Sequence, residues 1–246
     1  MSGLFYQLGR RLGQAAIPTA RKTRWAWRLL TGSDEESLQA EVELGTAMAR
    51  ELHEHSTPVT RPAESALLEE ISAHLAARLK NQARVFRAEI IQTGSANALS
   101  LPGGFIFVDT LLVDLCDAQP DQLAFIVGHE MGHVVRKHTV DRLVAEIGMN
   151  VITTLMTRGS MAGFWKQGGQ ELLRKAYGRD QEREADEFGL RLARAAGYDP
   201  QGALNLMLKL RDLRQSSGGL SDYFASHPPE ADRYARLQQV LRQIPG

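Results

Sequence analysis

The chain has 246 residues, 43% of them hydrophobic and 24% charged, with 29 basic residues against 29 acidic ones. This is the composition of a globular protein large enough to bury a core, and it excludes the disordered, collagen-like and integral-membrane classes. The single cysteine, Cys116, excludes an internal disulfide framework and a cysteine-rich zinc site, and reads as a small buried hydrophobe.

Residues 1–33 carry Arg10, Arg11, Arg21, Lys22, Arg24 and Arg28 and no acid, so a basic arm precedes a net acidic remainder. The arm lacks the apolar core of a secretory signal. No segment reaches the roughly 20 apolar residues of a membrane span, and the longest candidate, "LVAEIGMNVITTLM", contains Glu146 and Asn150. A cytoplasmic, non-spanning protein with no nucleic-acid partner is expected. With Trp25, Trp27 and Leu29 among its arginines, the arm suits either peripheral contact with an anionic membrane surface or a solvated, partner-packed tail.

Ser33 and Glu36 form a capping-box pattern that opens a helix to about His53, and Pro58 and Pro62 interrupt it. Leu67, Leu68, Ile71, Leu75 and Leu79 recur at helical steps and predict a second helix over 62–80. The texture then changes: "RVFRAEII", "NALSL" and "GFIFVD" read as a small sheet over 84–109. From Pro120 onward helical periodicity dominates, broken by "RGSMAGFWKQGG" (158–169), "GYDP" (197–200) and "SSGGLSDYFASHPP" (216–229). With no repeat and no shift in composition, the expectation is one α+β domain over 34–246, extended by the arm 1–33.

The chemistry-bearing stretch is "FIVGHEMGHVVRKH", 125–138. On a helix, His129 and His133 project from one face with Cβ atoms about 5–6 Å apart, a gap that lets two imidazoles converge on one ion. Glu130 is rotated by about 100° and lies beside that ion, free to take a proton from bound water. Gly132 is expected to keep the helix slender where substrate approaches. The pentapeptide alone is a weak signal and requires a third ligand, since a catalytic zinc takes three protein ligands and leaves a fourth position to water. "RDQEREADEFG", 179–189, offers Glu182, with Asp186 on the same face to accept the free N–H of a ligand histidine. Ala185 is small enough for the two helices to pack closely.

"HEMGH" followed about fifty residues later by "EREAD" resembles the gluzincin peptidases grouped with HtpX, BepA and the prenyl-protein (CAAX) endopeptidases. "NALSLPGGFIFVDTLLV", "AGYDP" and "SHPPEADRYARL" extend the likeness over about 60–242. The resemblance implies a mainly helical zincin-like domain, one zinc ion per chain held by His129, His133 and Glu182, and Glu130 as general base. It implies that Asp186 supports a ligand histidine, that His227 donates to the developing oxyanion, and that Arg233 braces this region. It further implies that Phe105, Ile106 and Phe107 form an edge strand to which an extended polypeptide adds, with Gly103 and Gly104 permitting close approach. Unlike the HtpX and prenyl-endopeptidase members, this chain shows no transmembrane helix.

A zinc-dependent endopeptidase acting on extended or misfolded chains is therefore expected. A zinc-binding, chaperone-like or regulatory module with little turnover is the competing expectation, although such a module has no use for Glu130. The loop 158–169, with four glycines around Phe164 and Trp165, suits a mobile lid or a plain connector. His53 and His55 read as surface residues, and His74 has no partner at ligand spacing. His138 falls about 140° around a continuous helix from His133 and reads as a polar residue of its last turn.

Overall fold

A computed structural model describes residues 28–29, 33–94, 96–158, 175–216, 227 and 233–243, with backbone alone at 157–158 and 213–216. The basic arm but for Arg28, Leu29 and Ser33, the glycine-rich loop from residue 159 on, and 217–229 but for His227 lie outside these residues.

Helix α1 (Asp34–Glu54) starts at the capping box: Ser33 Oγ accepts from the Glu36 backbone N–H, and the Glu36 carboxylate accepts from the Ser33 N–H at 3.1 Å. Helix α2 (Pro62–Ala76) begins with proline in its first turn, where the missing N–H costs nothing. It ends four residues before the periodic pattern does, and Leu79 reaches the core from the turn that follows. Three strands come next: β1 (Arg87–Ile91), β2 (Ala98–Leu101) and, after a 3-10 turn at Pro102–Gly104, β3 (Phe105–Asp109). A short α3 (Thr110–Leu115) is capped by Asp109, whose carboxylate accepts from the Leu111 N–H at 2.9 Å. Helices α4 (Pro120–Val135), α5 (His138–Ile147), α6 (Met149–Arg158), α7 (Arg179–Ala195), α8 (Gln201–Ser216) and α9 (Arg233–Gln243) follow. No helix among the described residues is long and apolar enough to cross a membrane.

The sheet order is β1-β3-β2, with β1 parallel and β2 antiparallel to β3. This overturns the expectation that Phe105, Ile106 and Phe107 form an edge. Each is paired on both sides, to Arg87, Ala88 and Glu89 and to Leu101, Ser100 and Leu99, and β2 is an outer strand among the described residues. All five residues of β3 are buried because the strand is covered on both faces. Phe105 and Phe107 pack with Leu44, Met48 and Leu52 of α1 and with α5 and α6. Ile106 and Val108 turn the other way, to α2, α4, α7, α8 and α9. The period-two alternation of the strand thus divides the core into two layers about the sheet.

Gly103 and Gly104 also differ from expectation. Both have positive φ, and a Cβ on Gly103 would meet the Val42 Cα of α1 at 2.6 Å, while one on Gly104 would meet the Val85 carbonyl oxygen at 2.4 Å. Gly103 serves the contact of the turn with α1 and Gly104 its contact with the Val85 backbone ahead of β1, so close approach within the fold accounts for both.

Helix α4 is buried from Gln122 to Val134. Helix α7 crosses it along a seam of small residues. A Cβ on Gly189 would stand 2.6 Å from the His129 backbone nitrogen, and one on Gly132 would stand 3.1 Å from the Ala185 Cα. Gly132 therefore lets α7 in, and the expectation that it clears a path for substrate is replaced by this one. A methyl group at Gly189 must push the helices apart, so Gly189→Ala is expected to destabilise the fold by about 1–3 kcal/mol, read as a lower urea midpoint at unchanged slope.

Candidate metal centre

The α4–α7 seam brings four buried side chains together. The ligand atoms of His129, His133, Glu182 and His227 all lie within 4.8 Å of one another. His129 Nε2 is 3.1 Å from His133 Nε2 and 3.3 Å from His227 Nδ1. Glu182 Oε1 is 3.3 Å from His133 Nε2 and 2.9 Å from His227 Nδ1, and Glu182 Oε2 is 3.7 Å from His129 Nε2.

These separations fit one small cation. Ligand atoms at about 2.0–2.1 Å from a tetrahedral zinc stand roughly 3.3 Å from each other. The donor set agrees: three imidazole nitrogens and a carboxylate converge in a pocket whose members are at most 3% exposed, and Glu182 Oε2 makes no hydrogen bond. Burial holds the His133 imidazole neutral by pushing its pKa down to about 3, which keeps a lone pair available. Burial alone would also lower His227, but the carboxylates of Glu182 and Glu130 around it raise its pKa to about 10. The pocket therefore favours positive charge between those two carboxylates.

The surroundings orient the donors. Asp186 Oδ1 lies 3.0 Å from His129 Nδ1, in reach of that N–H and opposite the converging Nε2. Arg233, at the start of α9, grips Asp186 with two parallel bonds, Nε to Oδ2 at 2.8 Å and Nη2 to Oδ1 at 2.6 Å. Its Nη1 is also 3.6 Å from Glu182 Oε2. Burial raises Asp186, yet the Arg233 charge and the His129 and Arg233 bonds hold its pKa below the ordinary value.

Glu130 stands beside the donor set, outside it. Its Oε2 accepts from Ser100 Oγ at 2.7 Å, and its Oε1 is 3.4 Å from His227 Nε2. Against the cost of burial, the His227 bond and the nearby imidazoles lower its pKa to about 2, so it stands ionised.

The structure thus brings His129, Glu130, His133, Glu182, Asp186, His227 and Arg233 to one place, and leaves Phe105, Ile106 and Phe107 inside the sheet. Ser100, Tyr177 and His138 also join the site, unanticipated from sequence. Ser100 had a signal, since it occupies every second position of β2 with Ala98 and so faces α4. His138 had none, because α4 stops at Val135 and Lys137, with φ of 61°, turns the chain so that His138 opens α5 beside His133. His53 is exposed and bonded to Glu89, and His74 to Tyr198, away from this centre.

A buried helix carrying two histidines and a free glutamate, crossed by a second helix that adds a carboxylate, defines a zincin-like mononuclear metal site. The model of peptidase family M48 matches residues 62–241, and the chain belongs to that family. The mitochondrial metalloendopeptidase OMA1 of Arabidopsis thaliana is 30% identical over 151 residues, which cover 61% of this chain and 30% of the relative. Metalloprotease LoiP of Escherichia coli is 26% identical over 159 residues, 62% of each chain. The beta-barrel assembly-enhancing protease of Escherichia coli is 22% identical over 220 residues, 85% of this chain and 45% of the relative. The chain spans less than two thirds of the length of each of these relatives.

Arg233→Met leaves Asp186 buried without its cation, so a loss of about 3–5 kcal/mol in urea unfolding is expected. Arg233→Lys recovers only part of it, because an ammonium cannot reproduce the paired geometry.

Proposed function

We propose that this protein is a zinc-dependent endopeptidase that cleaves extended or misfolded polypeptides. One observation carries the reading: His129, His133 and Glu182 meet at the spacing of one tetrahedral ion while the ionised Glu130 remains outside the set. When bound, zinc supplies a polarised scissile carbonyl and a water made acidic enough to deprotonate near neutral pH.

The residues of the chain do the rest. Glu130 accepts the proton of the attacking water and returns it to the leaving amine, with Ser100 holding its carboxylate in place. Burial of the α4–α7 pocket excludes bulk water and strengthens each of these interactions. The outer side of β2, whose Ser100 touches Glu130, is the surface that supports addition of an extended substrate as a further strand. Within the family, the likeness to the beta-barrel assembly-enhancing protease over 85% of this chain supports a quality-control peptidase. The basic composition of residues 1–33, without an acid, suits contact with anionic lipid headgroups.

His227 supports a second reading of its own. Its Nδ1 lies within the donor set, so on giving up its proton it can hold the metal as a fourth protein ligand in place of water. On this reading His227 restrains turnover for as long as it holds that position.

Glu130→Gln is expected to retain one zinc per chain by elemental analysis and to lose casein hydrolysis by two orders of magnitude or more (about 10²–10⁴-fold for a general base). Wild-type turnover in this variant would exclude the mechanism, and turnover absent from both proteins would favour the binding module. His227→Ala is expected to raise casein turnover, whereas a fall would assign His227 to the oxyanion alone.

A further inference from the structure

Helix α5 carries two buried residues that the proposed reaction leaves unused. His138 and Arg142 are four apart and share one face of the helix. Both act on His133, by different routes. His138 Nδ1 is 3.1 Å from His133 Nδ1, the ring nitrogen opposite the Nε2 that joins the donor set. Since Nε2 must keep its lone pair free for a metal, the proton of His133 belongs on Nδ1, and it donates to His138 Nδ1. The outer nitrogen of His138, Nε2, then faces Glu184 Oε2 at 3.7 Å.

Arg142 works through Tyr177. The Tyr177 ring lies flat on the His133 imidazole, with centroids 3.7 Å apart and planes 16° from parallel. The Arg142 guanidinium carbon sits 4.0 Å from the Tyr177 centroid. Two groups this close cannot share one face of a ring, so Tyr177 is sandwiched between cation and imidazole. Arg142 Nη1 also donates to the Lys175 carbonyl at 3.1 Å, and Lys175 Nζ pairs with Glu146, one further turn along α5. The strand of chain so fastened, 175–178, leads directly into α7 through Gly178, its N-cap. Helix α5 thus touches α4 at His133 and, through Lys175 and Tyr177, the segment that leads into α7 ahead of Glu182.

We infer that His138 and the Arg142–Tyr177 stack are positioning residues that hold the His133 ring in its metal-binding tautomer and orientation, and so set the affinity of the centre for zinc. The inference rests on the proposed zinc site but concerns residues outside it. A hydrogen-bond partner fixes which nitrogen is bare, and a ring clamped on its face cannot rotate about χ2; together they remove the freedom a ligand would otherwise lose on binding. Simple core packing would ask only for bulk at these positions and would leave affinity unchanged.

The test is zinc affinity, measured by competition with a chromophoric chelator, together with thermal unfolding of each metal-free protein. His138→Leu and Tyr177→Leu are expected to weaken zinc binding about tenfold or more, the range seen when such outer partners are lost. His138→Gln, which keeps an acceptor, and Tyr177→Phe, which keeps the stacked face, are expected to bind close to wild type. Cobalt-loaded His138→Leu should show a shifted visible spectrum, reporting altered geometry without reference to activity. If the leucine variants fold and bind zinc as tightly as wild type, or if Tyr177→Phe weakens binding as much as Tyr177→Leu, the inference is overturned while the peptidase reading stands. If either leucine variant fails to fold, weak binding by the well-folded Gln or Phe variant at that position overturns it, and retained binding upholds it against Arg142→Met, which should weaken binding. Failure of the wild-type protein itself to bind zinc would overturn both.

Discussion

The distance between α4 and α7 is the constraint from which the centre follows. Histidines on one helix and a glutamate on another can share an ion only if the two backbones nearly touch, and side chains larger than methyl forbid that. Gly128, Gly132, Ala185 and Gly189 supply the seam: a Cβ on Gly189 would overlap the His129 nitrogen at 2.6 Å, and one on Gly128 or Gly132 would crowd α7 at 3.0 or 3.1 Å. In exchange, the helices give up side-chain burial along their line of contact, and the apolar residues flanking it, such as Phe125, Val127 and Leu190, restore that loss from either side. Packing and chemistry here are one requirement, since whatever spreads the helices also separates Glu182 from His129 and His133.

Bringing so many ionisable groups out of water is costly, and the arrangement of charge answers it. Glu130, Glu182 and Asp186 are buried acids, and Arg233 and His227 are the buried bases that face them. Asp186 is neutralised by two bonds from one guanidinium, the geometry that best repays desolvation. Glu182 retains an oxygen without a hydrogen bond, and Glu130 is held by a hydroxyl donor. The residual negative character is confined to the place where a divalent cation completes the balance. Stability of the pocket and affinity for metal are thereby coupled.

Much of this was legible in the residue order. The spacing of His129 and His133 and the neighbouring Glu130 carry their own geometry, as do Glu182 and Asp186, because the helix converts sequence steps into faces. The capping box at Ser33 and the three short strands were readable for the same local reason. What escaped was set by tertiary partners. The apolar run "FIFVD" after "PGG" signals a strand but says nothing of its neighbours, so the edge position implied by the resemblance could not be checked against the place of β3 between β1 and β2. Glycines at 103, 104 and 132 announce close approach without naming what approaches. His138 was hidden by an assumption of helix continuity that a left-handed Lys137 breaks, and Tyr177 by the absence of any periodic signal around it.

Helix α1 contributes no atom to the metal centre and lies ahead of the span matched to the family. It is nonetheless sewn to the rest at its middle and its first turn: Gly45 fits against the Pro102 carbonyl, and Lys137, at the hinge between α4 and α5, donates to Ser37 Oγ at 3.0 Å. Trimming a recombinant fragment to residue 62 would uncover Phe105 and Phe107 on one side of the sheet and cut a tether of the bend that delivers His138. The packed unit thus extends upstream of the span matched to the family, at least to Leu29, which is buried in the same cluster as α1 and whose carbonyl accepts from Ser37 Oγ at 3.2 Å.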